Sequence, residues 1–280
     1  LARYNRPHLL TANCQLHMLP YPHIDPVALQ LGPLAIRWYS LAYLAGIMLG
    51  WWYLKREHTR RPIANLTQKA LDDMVVWAVL GIVGGGRLGY VLFYNAPHYL
   101  SHPLEALYIW QGGMSFHGGM LGTILAFYLF CRKYQVRFLE LMDVIAPAAT
   151  IGLFFGRIAN FINGELFGRV TDSPLGMVFP HGGELPRHPS QLYEATLEGL
   201  VLFAVLTLLL KFTGARNKPG VIGGVFLMGY AVSRMIVENF REPDTQLGFF
   251  FGGVTMGQML SLPMLLVGLY LICRKIPSPK

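Results

Sequence analysis

Three arginines set in strongly apolar surroundings, Arg87, Arg157 and Arg234, are the most telling residues of this sequence. A guanidinium in a hydrocarbon setting costs about 2.5 to 3.5 kcal/mol on insertion scales, so it needs a task, a partner or a route to water. Guanidiniums match phosphate oxygens in bidentate fashion, and several at one place suit an anionic phosphate. Amide, phenol and imidazole groups stand near them. Asn160 follows Arg157 by three residues, which puts both on one helix face. Tyr230, Arg234, Glu238 and Arg241 recur at i, i+4, i+8 and i+11, again one face. His117, given a carboxylate neighbour, is a group that could take a proton from a nucleophile near neutral pH. Simpler readings stand beside these. Arg234 and Glu238 could satisfy each other as an ion pair in lipid. Arg37, close to the end of an apolar run, is expected to snorkel to the interface. The glycines at 84–86 and 118–119 are by themselves more a sign of close helix packing than of a ligand.

The elements that must carry these groups follow from composition. Of 280 residues, 53% are hydrophobic and only 14% charged, and the mean hydropathy is +0.40. A soluble domain usually carries about 25% charged residues. The chain therefore reads as an all-α integral membrane protein. Disorder, a collagen-like fibre and a disulfide scaffold are excluded by the same figures. Cys14, Cys131 and Cys273 are too few and too scattered for a disulfide framework, a zinc site or a redox pair. No metal or cofactor is expected, since no His, Cys and carboxylate set has ligand spacing.

Apolar runs long enough for roughly 30 Å of hydrocarbon lie near residues 34–54, 71–94, 113–131, 143–162, 191–211, 220–240 and 254–273. They predict seven transmembrane helices. The basic residues sort around them. Lys55, Arg56, Arg60, Arg61 and Lys69 follow the first run, Arg132, Lys133 and Arg137 the third, Lys211, Arg216 and Lys218 the fifth, and Arg274, Lys275 and Lys280 the last. The intervening segment 95–112 holds no Lys or Arg. By the positive-inside rule the N-terminus lies outside and the C-terminus in the cytoplasm. The net charge of +8 is thereby accounted for by topology, and a nucleic-acid partner is not expected. The Gly- and Pro-rich connection 163–190 lies on the outer side and predicts a small periplasmic head. Residues 1–17 have no apolar core and are expected to be a start-site or non-native extension, Met18 being the expected start. Residues 18–280 then form one transmembrane catalytic domain. Asp143 is expected to cap the fourth helix at its inner end.

Depth joins the two lines of reasoning. Counted inward from the outer ends of their runs at ~1.5 Å per residue, Arg87, Arg157 and Arg234 all fall in the outer half of the bilayer. Odd and even helices run in opposite directions, so Tyr39 early in the first run and His117 early in the third reach the same level as Arg87, Arg157, Asn160, Arg234 and Glu238. A phosphate at that depth is most simply a phospholipid head group. The residues thus point to a membrane protein that handles lipid phosphate, without naming an acceptor. The competing reading is an anion or anionic-lipid transporter using the same arginines. That reading predicts polar residues through the full membrane thickness, whereas Leu125–Phe130 and Leu202–Leu210 leave inner halves apolar.

Several segments, taken together, resemble one family. They are 112–119 (GGMSFHGG), 156–169 (GRIANFINGELFGR), 187–194 (RHPSQLYE) and 234–244 (RMIVENFREPD). In order, over nearly all of 18–275, they are similar to bacterial phosphatidylglycerol–prolipoprotein diacylglyceryl transferases. The resemblance implies a bacterial inner-membrane enzyme whose site opens to the periplasm in the outer leaflet. It implies transfer of diacylglyceryl from phosphatidylglycerol to the thiol of the lipobox cysteine of a prolipoprotein signal peptide. A thioether forms and glycerol phosphate leaves, in the first step of lipoprotein maturation. It also implies that Tyr39, His117, Arg157, Asn160, Glu165, Gly168, Arg234 and Glu238 matter. The chemistry suits these types, because a thiol of pKa about 8.5 needs a base or a positive field, and a departing phosphate needs its charge neutralised. In this reading Arg157 binds the phosphate and Arg234 stabilises it as it leaves. His117 is the candidate base, with Glu238 orienting it or relaying the proton, although a carboxylate remains an alternative acceptor. Tyr39, Asn160, Glu165, Gly168 and Tyr230 line the substrate, and Arg87 is a further phosphate contact.

Overall fold

The structure, a computed structural model, describes residues 19–242 and 255–274. The extension expected at 1–17, the start expected at Met18 and the tail residues Lys275 and Lys280 lie outside the described residues. Helices occupy all seven apolar runs. They are α1 (Trp38–Arg60), α2 (Gln68–Phe93), α4 (Phe116–Tyr134), α5 (Phe138–Ile162), α6 (Ser190–Phe212), α7 (Val221–Val237) and α8 (Met256–Cys273), and a short α3 (Ala96–Ser101) lies between α2 and α4. Among the described residues, α2, α5, α6 and α8 are long and apolar enough to cross a membrane, and α7 is apolar over 17 residues. Helices α1 and α4 carry Lys55, Arg56 and Glu57, and Arg132 and Lys133, within their C-terminal turns. The molecule is a mostly helical, multi-pass membrane protein.

Three boundaries differ from expectation, each for a local reason. Residues 34–37 are not helical. Leu34–Arg37 forms strand β2 of an antiparallel hairpin with β1 (Val27–Leu31). The turn between them is Gly32-Pro33, with Gly32 at φ +59°, the kind of residue a tight hairpin needs at its first central position. The fold is therefore not purely α. Helix α5 begins at Phe138, so Asp143 sits inside it rather than at its cap. Its carboxylate instead accepts from the backbone N–H groups of Gly220 and Gly223, both at 2.7 Å, and so caps α7 across the helix interface. Helix α4 starts at Phe116, where the Ser115 hydroxyl accepts from Gly118 N–H at 3.1 Å.

Two apolar cores fill the end of the bundle where the basic residues lie. One packs Leu71, Met74, Phe130, Leu141 and Val144, and the other Leu202, Leu206, Leu210 and Ile222. At the opposite end, residues 163–189 form a cap held by the isolated bridges Gly168↔Arg241, Val170↔Arg187 and Met177↔Arg187. Fully buried Phe179 packs there against Tyr21, Phe161 and Met177, and the Tyr21 hydroxyl donates to the Phe161 carbonyl at 2.8 Å. The head expected from the sequence is thus a small folded unit.

Helices α2 and α4 approach most closely, through glycines spaced four apart. A Cβ on Gly85 would lie 2.7 Å from Gly122 Cα, and one on Gly89 2.8 Å from Gly118 Cα, whereas Gly84 faces open space. Packing, then, is what the 84–86 and 118–119 clusters serve. Gly85→Leu is expected to lower the melting temperature of the detergent-solubilised protein strongly, since two backbones would have to part. Gly84→Ala should leave it unchanged or raise it, by up to about 1 kcal/mol of helix propensity. Equal effects of the two changes in a thermal-shift measurement would refute this packing account.

Candidate active site

Arg157 on α5 and Arg234 on α7 meet through an acid on α6. Glu194, wholly buried, has Oε2 3.0 Å from Arg157 Nε, while its Oε1 accepts from Arg234 Nη1 at 2.5 Å and from Arg241 Nη1 at 3.2 Å. Glu198, one turn further along α6 and equally buried, lies 3.4 Å from Arg157 Nη2. Glu238 takes the other side of Arg234, at 3.0 Å. Tyr230 faces Arg157, Arg234 and Glu198 from α7. Three guanidiniums and three carboxylates are thereby interleaved. In a water-poor interior such a network holds only if each charge keeps a partner, because a lone buried ion is far more costly than a paired one. Arg157 and Arg234 still retain 17% and 14% side-chain exposure, so neither is sealed from a ligand.

A second polar group adjoins the first, because α5 continues past Arg157. The Asn160 amide donates to Glu165 Oε1 at 2.8 Å, and the amide of Asn163 reaches the same oxygen at 3.5 Å. The Tyr39 hydroxyl on α1 is within bonding reach of Asn160 and lies 3.3 Å from that of Tyr43. Tyr39, Arg157, Asn160, Arg234 and Glu238 thus lie in two adjoining polar groups. Antiparallel neighbours bring residues late in α5 and α7 beside residues early in α1 and α6.

Other expected members are placed differently. Arg87 is buried on α2 and spends its donors on backbone. Nε bonds Ala106 O at 2.8 Å, Nη2 bonds Glu105 O at 2.7 Å, and Nη1 bonds Gly112 O at 2.5 Å and Gly113 O at 3.2 Å. It pins the 105–113 connection to α2, and this, rather than a shared phosphate, accounts for its buried charge. His117 is exposed in the first turn of α4, its ring edge-on to Phe116 at 5.7 Å. Among the described residues no carboxylate bonds it, and Glu238, expected to orient it, is taken by Arg234. Gly168 is packed rather than open. Its N–H donates to His188 O at 2.8 Å, and a Cβ there would stand 2.7 Å from His188 Cβ. Burial holds the His188 imidazole below the usual histidine range, and its Nδ1 lies 3.2 Å from the Tyr193 hydroxyl.

Glu194, Glu198 and Tyr43 were absent from the sequence-based site, and a usable signal existed for the acids. They stand at i and i+4 in an otherwise apolar run, so the argument that singles out intramembrane arginines applies to them equally. The helix departs from α geometry where they lie, with a π-helical stretch over Ala195–Val201. Wide turns of this kind often mark functional positions. Arg241, seen in the sequence only as part of a helical stripe, proves to be the third cation on Glu194.

A sequence model of the prolipoprotein diacylglyceryl transferase family matches residues 26–274. The phosphatidylglycerol–prolipoprotein diacylglyceryl transferase of Rhodospirillum rubrum is 58% identical over 255 residues, covering 91% of this chain and 93% of the relative. That of Paramagnetospirillum magneticum is 60% identical over 255 residues, covering 91% and 94%, and that of Rickettsia felis 54% over 261, covering 93% and 100%. With its family signature matched from the hairpin to the end of α8, this chain belongs to the prolipoprotein diacylglyceryl transferase family.

Proposed function

We propose that this protein is a transferase that moves the diacylglyceryl group of phosphatidylglycerol onto the lipobox cysteine thiol of a prolipoprotein. The observation that carries the reading is the pairing of Arg157 and Arg234 on separate apolar helices, brought within reach of one anion by the carboxylate of Glu194. The setting proposed is the bacterial inner membrane. Seven spans are read with the N-terminus outside and the C-terminus in the cytoplasm, which places the arginine pair in the outer leaflet beside the periplasm. The basic connections at 55–69, 132–137 and 211–218 support that orientation.

In the proposed reaction the cysteine sulfur attacks the glyceryl C3 carbon. The C–S bond forms as the C–O bond to phosphate breaks, and the thiol proton passes to a base. Phosphatidylglycerol enters as a phosphodiester monoanion and glycerol phosphate departs with an extra negative charge. Guanidiniums already fixed in place stabilise that charge without reorganising. Arg157 holds the phosphate, and Arg234, braced between Glu194 and Glu238, neutralises it as it leaves. Tyr39, Asn160 and Glu165 offer a phenol, an amide and a carboxylate to the hydroxyls of the head group. His117, exposed and unpaired by any described carboxylate, is the proposed base. Glu238 acts through Arg234 and not through His117. Gly168 and Arg87 shape the site from behind.

The test is direct. Purified protein is incubated with labelled phosphatidylglycerol and a lipobox peptide, and label on the cysteine is measured. Arg157→Ala and Arg234→Ala should each lower transfer by about 10²- to 10³-fold, the cost of losing one charge-stabilising donor. Anion flux without labelled peptide would defeat the transferase reading. His117→Ala should lower transfer by about 10²- to 10⁴-fold, the range for a general base. Part of the loss should return when the peptide is supplied at a pH that ionises its thiol. Undiminished labelling by this variant would move the base elsewhere.

A further inference from the structure

The three acids of the network are not equally held. Glu194 and Glu238 each have an oxygen 3.0 Å from a guanidinium nitrogen. Glu194 Oε2, Glu238 Oε2 and Glu198 Oε1 are all buried without a hydrogen-bond partner among the described residues, but the first two stand against those guanidiniums, whereas Glu198 reaches Arg157 Nη2 only through its other oxygen, at 3.4 Å. The whole residue is inaccessible to solvent. It lies in the π-helical stretch of α6, against which α5 and α7 pack. The charged and titratable groups facing it are Arg157 from α5, Arg234 and Tyr230 from α7, and Glu194 on its own helix.

Charge counting gives this asymmetry a role. Among the described residues, three cations, Arg157, Arg234 and Arg241, face three anions, Glu194, Glu198 and Glu238. A phosphodiester monoanion on Arg157 adds one negative charge where little water is present to screen it. It also competes with Glu198 for the same guanidinium edge. We propose that Glu198 is a positioning residue that takes up one proton from water as the lipid phosphate engages Arg157, freeing that arginine and offsetting the charge the phosphate brings. The proton returns to water when glycerol phosphate departs. Glu194 is less suited to this part, because its two oxygens are shared among three arginines and its protonation would loosen all of them. The inference rests on the reading of Arg157 as the phosphate ligand.

Calorimetric titration of the full-length protein in neutral detergent with dihexanoylphosphatidylglycerol tests it. Repeating the titration in buffers of different ionisation heat counts the protons taken up. The wild-type protein should bind with uptake of about one proton over part of the range from mildly acid to mildly alkaline pH, and its affinity should fall by about tenfold per pH unit in that window. Glu198→Gln should bind with pH-independent affinity and no uptake, while Glu198→Asp should restore the uptake. Wild-type binding without proton uptake at every pH overturns the proposal, with no variant needed. Uptake that persists unchanged in Glu198→Gln overturns it too, by placing the proton on another group. Failure of the parent reading looks different: no binding of the lipid at all, or binding indifferent to Arg157→Ala.

Discussion

The carboxylate of Glu194 binds the molecule's two halves of chemistry together. Three guanidiniums from α5, α7 and the segment just beyond α7 converge on its two oxygens. Burying all three so close together would be costly without it, because their mutual repulsion would drive the three chain segments apart. The orientation of α5 against α7 is therefore fixed by electrostatics at one end and by side-chain packing at the other, where Leu202, Leu206, Leu210 and Ile222 close the core. A network assembled this way holds its guanidiniums in fixed positions. That is the condition under which fixed charges contribute most to a reaction that develops charge.

The division between the two ends of the bundle follows from what each must solve. At the basic end the problem is closure, met by apolar cores and by Asp143, which caps α7 from inside a neighbouring helix. At the other end the problem is to hold ions where water is scarce, met by interleaving opposite charges. Between the two, the glycine contact of α2 with α4 brings backbones together without any polar group. The acid pair on α6 belongs to the second solution, and the wide π turn that carries it is a departure from α geometry absorbed by packing on both sides.

Much of this was legible in the sequence, and the failures have physical causes. Depth could be counted, because helices rise evenly and alternate in direction. That count brings Tyr39, Arg157, Asn160, Arg234 and Glu238 together, and the structure sets them in two adjoining polar groups. Rotation about a helix axis could not be counted in the same way, and the face of α2 that carries Arg87 meets the 105–113 connection. The hairpin at 27–37 was hidden because its second strand is as apolar as the helix it enters. Asp143 lies nearly two turns inside its helix, whose N-cap is Arg137, so it caps a neighbouring helix and not its own. Glu194 and Glu198 are the anions that such buried cations require, and an acid in an apolar run is as legible a signal as an arginine.

The manner in which Arg87 grips its loop has an evolutionary side. Its guanidinium also lies over the rings of Tyr90 and Tyr99, but its hydrogen bonds to the loop go to main-chain oxygens, at Glu105, Ala106, Gly112 and Gly113, and so do not read the side chains those positions carry. Conformation alone is inspected, and only Gly112 and Gly113, at φ +83° and +76°, are narrowly constrained by it. The grip of Arg87 thus sets no requirement of its own on the side chains between Tyr108 and Gln111, and the loop keeps its register whatever they are.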